Sequence, residues 1–209
     1  NLDLERLMTA WDQVVQRHDM LRVVVLPDGR QQILEQVPAY EFQIHDLHGQ
    51  TTVEVTAALD AIRTELSHQV LPSDRWPAFD IRASLLDNGR TRIHISIDLL
   101  HVDGGSLMIL NDEWMQFYEN LDLELTPLQL SYRDYALATS ALKETDAYRR
   151  SLAYWQDRVK VLPGAPELPV LTNPSALEET HFVHRSARLE APTWQRLKDQ
   201  ATRLGLTPS

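Results

Sequence analysis

The stretch Thr91-Arg-Ile-His-Ile-Ser-Ile-Asp98-Leu-Leu-His-Val-Asp103-Gly-Gly-Ser106 changes its hydrophobic period partway along. Up to Asp98, apolar and polar residues alternate. A strand of that pattern turns Ile93, Ile95 and Ile97 to one face and His94, Ser96 and Asp98 to the other. After Gly104-Gly105 the apolar residues Leu107, Leu110, Trp114, Phe117 and Leu121 recur at helical spacing, with Ser106 as the candidate amino-terminal cap. A strand therefore runs through a tight loop into a helix, and the loop carries two carboxylates and a hydroxyl. Upstream, Phe79 to Leu86 and the turn Asp87-Asn-Gly-Arg90 complete a hairpin with that strand.

Working outward, Leu4, Leu7, Met8, Trp11, Val14 and Val15 predict an amphipathic helix over 2–18. Two extended runs, 21–26 and 31–35, flank Pro27-Asp-Gly-Arg30 and predict a second hairpin. Leu59, Ile62, Leu66 and Val70 mark a helix closed off by Leu71-Pro72 and Trp76-Pro77. Residues 131–162 read as helix in one or two pieces, with Thr145-Asp146 as break or cap, and 162–174 is a Pro-rich linker. An alternating run over 181–189 predicts a strand. Trp194, Leu197, Ala201 and Leu204 predict a last helix ending near Gly205. Trp11, Trp114 and Trp194 lie on apolar stripes and read as core. Helices mixed with hairpins, rather than strict strand–helix alternation, predict an α/β two-layer sandwich with a mixed or antiparallel sheet. The expected organisation is one lobe over 1–174, with 175–209 beginning a second.

A chain of 209 residues with 43% hydrophobic residues can bury a core of its own. The absence of Cys excludes a disulfide scaffold and thiolate metal sites. A formal charge of -10 argues against a nucleic-acid partner, because a phosphate-tracking surface concentrates Lys and Arg. No apolar run approaches the roughly 20 residues that span a bilayer, so a cytoplasmic location without membrane contact is expected. The chain starts at Asn1, and both ends read as cuts inside a longer polypeptide. No His, Asp or Glu cluster has metal spacing, and no phosphate loop is present.

On residue chemistry alone, the Asp98–Asp103 pair has two readings. Carboxylates in a crevice work as acid or base once burial shifts their pKa values. Asp and Gly are equally ordinary loop residues, Ser an ordinary cap, and His101 an ordinary loop or core histidine.

Several segments in order resemble the condensation superfamily of nonribosomal peptide synthetases. They include Arg17-His-Asp-Met-Leu-Arg22, Leu86-Asp-Asn-Gly89, Ser131-Tyr-Arg-Asp-Tyr135, Tyr154-Trp155 and Leu162-Pro-Gly-Ala-Pro-Glu-Leu168. Ordinary members carry His-His-x-x-x-Asp-Gly, whereas Asp98 and Leu99 occupy the two His positions here. Asp98, Asp103 and Ser106 instead match the Asp-x-x-x-x-Asp-x-x-Ser pattern of the heterocyclization branch. The resemblance implies a chloramphenicol-acetyltransferase-like α/β sandwich, this chain being the amino-terminal lobe of a two-lobed pseudo-dimer. It implies amide formation between a carrier-bound acyl or peptidyl donor and carrier-bound Cys, Ser or Thr, then cyclodehydration to a thiazoline or oxazoline.

Under that resemblance, Asp98 and Asp103 are the catalytic-loop carboxylates. Asp103 would hold the loop by pairing with Arg22, and Asp98 would line the substrate tunnel with His94, Ser96, His101 and Ser106. No cofactor is expected to bind directly, since substrates arrive on phosphopantetheine arms. The implied partners are upstream and downstream carrier domains, an adenylation domain of the same synthetase, and the second lobe. Residues assigned to cyclodehydration lie in that lobe, so the chain alone is expected to be inert. Two other readings stay open: a non-catalytic docking platform, and an acyltransferase of the chloramphenicol acetyltransferase type using His101.

Overall fold

The computed structural model describes residues 2–164 and 185–207, and the chain divides into two compact units, Asn1–Gly164 and Ala165–Ser209. In the first unit, helix α1 (Leu4–Arg17) starts where the Asp3 carboxylate accepts the Arg6 backbone N–H. It buries Leu7, Ala10, Trp11, Val14 and Val15, the stripe its spacing predicted. A short 3-10 turn (Asp19–Arg22) leads into β1 (Val23–Val25), paired antiparallel with β2 (Gln31–Ile33) across a bend where Gly29 takes a positive φ of 83°.

Strand β3 (Gln43–Asp46) precedes α2 (Thr52–His68), which opens on a reciprocal capping box between Thr51 and Glu54. Strands β4 (Phe79–Leu86) and β5 (Arg90–Ile97) follow, then α3 (Gly104–Glu119). The sheet order is β3-β4-β5, with β3 parallel and β5 antiparallel to β4. The sheet is thus mixed, and β5 is an edge strand.

One sheet face meets α1 and α3 in the core. Trp11 packs edge-on against Phe79 at 5.2 Å and against Trp114 at 4.8 Å, and the Trp114 indole N–H donates to the Leu7 carbonyl at 2.9 Å. Ile93 and Ile97 pack on this core, but Ile95, expected beside them, is half-exposed on the edge strand. The other face is polar. There the buried Arg82 guanidinium bonds Asp80 and reaches Glu65 of α2 at 2.8 Å, tying that helix to the sheet.

Helices α4 (Tyr132–Ala141) and α5 (Asp146–Val159) contribute no buried residue. They are split by a 3-10 turn, with Thr145 capping α5. In the second unit, α6 (Ala191–Arg203) ends before Gly205, whose φ of 68° fits a glycine stop. Trp194 is 40% exposed there, so it is not the core residue its stripe suggested. Of the strand expected over 181–189, residues 181–184 lie outside the described residues and 185–189 form no strand. Most of the linker expected over 162–174 also lies outside them. No helix among the described residues is long and apolar enough to cross a membrane.

Candidate functional site

Asp98 stands just past the end of β5, where its N–H still donates to the Ala78 carbonyl. Its carboxylate accepts the Leu100 N–H at 2.8 Å, while its own carbonyl accepts the His101 N–H at 3.1 Å. Asp98 therefore closes a tight turn with side chain and backbone together. This turn carries the chain from the sheet edge toward α3.

Asp103, not Ser106, is the N-cap of α3. Its Oδ1 accepts the Ser106 N–H and the Ser106 hydroxyl, each at 2.7 Å. The physical reason is positional. Only the residue before the first helical turn, with extended backbone, can aim an oxygen back at the free N–H groups, and Ser106 already sits inside that turn. The Ser106 backbone N–H first, then its hydroxyl, holds the Asp103 carboxyl below its ordinary value. Asp103 is exposed and ionised.

The expected Arg22–Asp103 pair does not form. The buried Arg22 guanidinium donates to the carbonyls of Val15 (3.0 Å), Gln16 (3.1 Å) and Leu34 (2.7 Å) and pairs with Asp19 at 2.8 Å. Carbonyls at the end of α1 have no helical partner, and a cation three residues past a local carboxylate satisfies both at once. Arg22 joins the α1 terminus to the β2 edge, and the loop is held by its own hydrogen bonds.

His101 is 6% exposed, with its ring beside the Val23 backbone and no side-chain hydrogen-bond partner. Burial pushes its imidazole down from the ordinary histidine value, against smaller upward effects of Asp98 and the Val23 backbone. His94, by contrast, has its Nε2 3.0 Å from the Ser84 hydroxyl. Burial, then the charges of Arg92, His45 and Arg82, pushes its imidazole down as well. The Ser96 hydroxyl donates to the Leu66 carbonyl at 3.4 Å.

These residues do not share one space. His101, Asp103 and Ser106 line a cavity of about 1340 Å³ between the end of α1, the loop, α3 and residues 123–135. His94 and Ser96 line a second cavity of about 660 Å³ between α2, β5 and α3. Asp98 and Arg22 line neither of these two. The sequence reading also missed a cluster beside the larger cavity. Glu113 of α3 accepts Arg17 Nε at 3.0 Å and stands 2.6 Å from His18 Nε2, while Arg17 also donates to the Thr126 carbonyl. The adjacent basic residues Arg17 and His18 at a helix end were the visible signal, but the partner of His18 lies 95 residues on. No group of His, Asp or Glu that could hold a metal is found among the described residues.

Against known proteins, residues 1–207 match the condensation domain family. The chain is 33% identical over 207 residues to pyochelin synthetase PchF of Pseudomonas aeruginosa, covering 98% of this chain and 11% of that protein. It is 34% identical over 212 residues to phenyloxazoline synthase MbtB of Mycolicibacterium paratuberculosis, covering 100% of this chain and 18% of that protein. Its fold superposes with a TM-score of 0.86, at 42% identity, on the EpoB cyclization-docking bidomain from Sorangium cellulosum, over 99% of this chain and 42% of that one. The chain spans only a small part of the curated relatives it matches. With strand, loop and helix arranged as above, the chain belongs to the condensation-domain family of nonribosomal peptide synthetases.

Proposed function

We propose that this chain is the amino-terminal lobe of a heterocyclization domain. That domain joins a carrier-bound acyl or peptidyl donor to carrier-bound Cys, Ser or Thr, then closes the side chain onto the new amide and expels water. The carrying observation is the Asp98–Asp103–Ser106 set on one strand-to-helix loop, with Asp103 and Ser106 at the edge of the larger cavity. Leu99 has no proton to exchange, so the loop lacks the second His of ordinary condensation domains. Likeness to a cyclization bidomain and to phenyloxazoline and pyochelin synthetases supports the same branch.

In this reading, Asp103 keeps α3 and the loop in register by capping the helix. Asp98 sets the turn that presents residues 99–103. Carrier-borne phosphopantetheine arms bring both substrates, and a lining that mixes apolar residues such as Leu99, Val102 and Leu110 with polar ones suits such a chain. Ring closure needs an acid, a base and exclusion of water, and residues beyond this lobe complete them. The lobe alone is therefore inert.

The test is intact-protein mass spectrometry of the natural-length protein, with a donor-loaded carrier and a cysteinyl or seryl carrier. Amide formation followed by loss of one water is expected. Amide that never dehydrates overturns the cyclization, and binding without transfer makes the chain a docking platform.

A further inference from the structure

Helix α1 carries three donors on one face, Arg6, Gln13 and Arg17, spaced seven and four residues apart. All three reach the chain that leaves α3. Arg6 donates to the Tyr118 and Glu119 carbonyls, the second at 2.8 Å, Gln13 to the Leu121 carbonyl at 2.8 Å and Arg17 to the Thr126 carbonyl at 2.8 Å. The acceptors advance along the chain as the donors advance along the helix, so residues 118–126 run beside α1 in its own direction. From Leu121 to Thr126 burial alternates: Leu121, Leu123 and Leu125 pack on the core, and Asp122, Glu124 and Thr126 are exposed. This is an extended ribbon, held down by side chains of α1 instead of a partner strand.

The fastenings differ in what they hold. Arg6 answers the unpaired carbonyls that end α3, an ordinary helix stop, and lines neither of the two cavities. Arg17 holds the last point before the ribbon becomes wall. Among the described residues, 127–130 make no hydrogen bond, and Pro127, Leu128, Leu130 and Tyr132 line the larger cavity. Their place therefore depends on Thr126 upstream and on the Ser131 cap of α4 downstream. Arg17 is in turn braced. Its Nε donates to Glu113 of α3 at 3.0 Å, both side chains are largely buried, and His18 Nε2 stands 2.6 Å from the same carboxylate. A forked guanidinium serves the carboxylate and the ribbon carbonyl at once.

We infer that Arg17, braced by Glu113, is a positioning residue of the larger cavity: its bond to the Thr126 carbonyl fixes where residues 127–132 stand as that cavity's wall. What enters the cavity rests on the proposed function; the tether rests on the geometry alone. Arg17 acts through the ribbon, and Glu113 through Arg17.

The experiment uses the natural-length protein and four variants: Arg17→Met, Glu113→Gln, the two combined, and Arg6→Met for comparison. Thermolysin, which cuts before leucine, is applied under native conditions, and the fragments are located by mass spectrometry. Cleavage within 127–132 should quicken about tenfold in Arg17→Met and about threefold in Glu113→Gln, the scale of losing or weakening one charge-assisted hydrogen bond. Cleavage elsewhere in the lobe should keep the wild-type rate. The double variant should cleave no faster than Arg17→Met, because both changes act on one tether. Arg6→Met should leave cleavage within 127–132 unchanged.

Amide formation in the mass-spectrometric assay, followed against carrier concentration, separates positioning from mere support. Arg17→Met should raise KM about tenfold and leave kcat within about twofold, as loss of binding surface does. A purely supporting residue would lower the folded fraction, and hence kcat, at unchanged KM. Unchanged local cleavage, cleavage that rises equally throughout the lobe, additive effects in the double variant, or a fall in kcat alone overturns the positioning role. So does Arg6→Met raising KM as much as Arg17→Met. Local cleavage as expected with no product from wild type sinks the proposed function and leaves the tether standing.

Discussion

The Asp103 carboxylate accepts the backbone N–H and the hydroxyl of Ser106, both at 2.7 Å, so two members of one short motif are spent on each other. The hydroxyl points at a carboxylate, and no imidazole stands within its hydrogen bonds to make it a nucleophile. The pair closes the first turn of α3 and thereby sets where residues 99–103 lie relative to the larger cavity.

Acid should weaken this cap. The Asp103 carboxyl titrates below its ordinary value of 3.8 in the folded chain, chiefly through the Ser106 backbone N–H. Its stabilising contribution is therefore full above the unfolded value and is lost as pH falls through the folded one. Melting temperatures of wild type and Asp103→Asn should differ most near neutrality and converge as pH falls below 3.8 through the folded value. A difference that stays constant with pH contradicts a charge-assisted cap.

Arg22 and Asp103 should behave independently. Arg22→Met leaves three carbonyls and Asp19 without their donor and should cost about 3 kcal/mol in chemical denaturation. Ser106→Ala should lower the melting temperature far less. In the Arg22→Met, Asp103→Ala double variant the two melting shifts should add. Strong coupling would restore the ion pair that the resemblance implied.

One buried and one half-buried histidine should make the fold sensitive to mild acid. Burial pushes both His94 and His101 below 6.5 in the folded chain, so unfolding takes up protons once pH drops under that value. Stability present above pH 6.5 should be lost as pH falls toward the folded values. His94→Asn should shrink the difference in melting temperature between pH 7.5 and pH 5.5. An unchanged difference would show that His94 titrates alike folded and unfolded.

Trp114→Phe should cost about 2 kcal/mol, through lost packing on Trp11 and loss of the N–H donated to Leu7. Trp194→Phe, at 40% exposure in the second unit, should change little. Denaturant titration of each variant reads both, and equal effects would contradict the burial difference.

The sequence by itself determined the helices and the two hairpins of the first unit, because those patterns rest on spacings of a few residues. The stripe Leu7–Trp11–Val14, the hairpin around Asn88-Gly89 and the Asp98–Asp103–Ser106 spacing could all be read directly. Strand β3 escaped, since Gln43-Ile-His-Asp46 carries little apolar alternation and is recruited by parallel pairing with Arg82–Leu85 across α2.

The tertiary structure decided the partners. Arg22 went to the carbonyls ending α1, Glu113 to Arg17 and His18, and His94 and Ser96 to a different cavity from His101. Hydrogen-bond donors choose among acceptors by proximity and desolvation, and packing sets both over separations that no local pattern encodes. For the same reason His101 could be named from the sequence, but only the folded chain leaves it buried beside the Val23 backbone and lining a cavity.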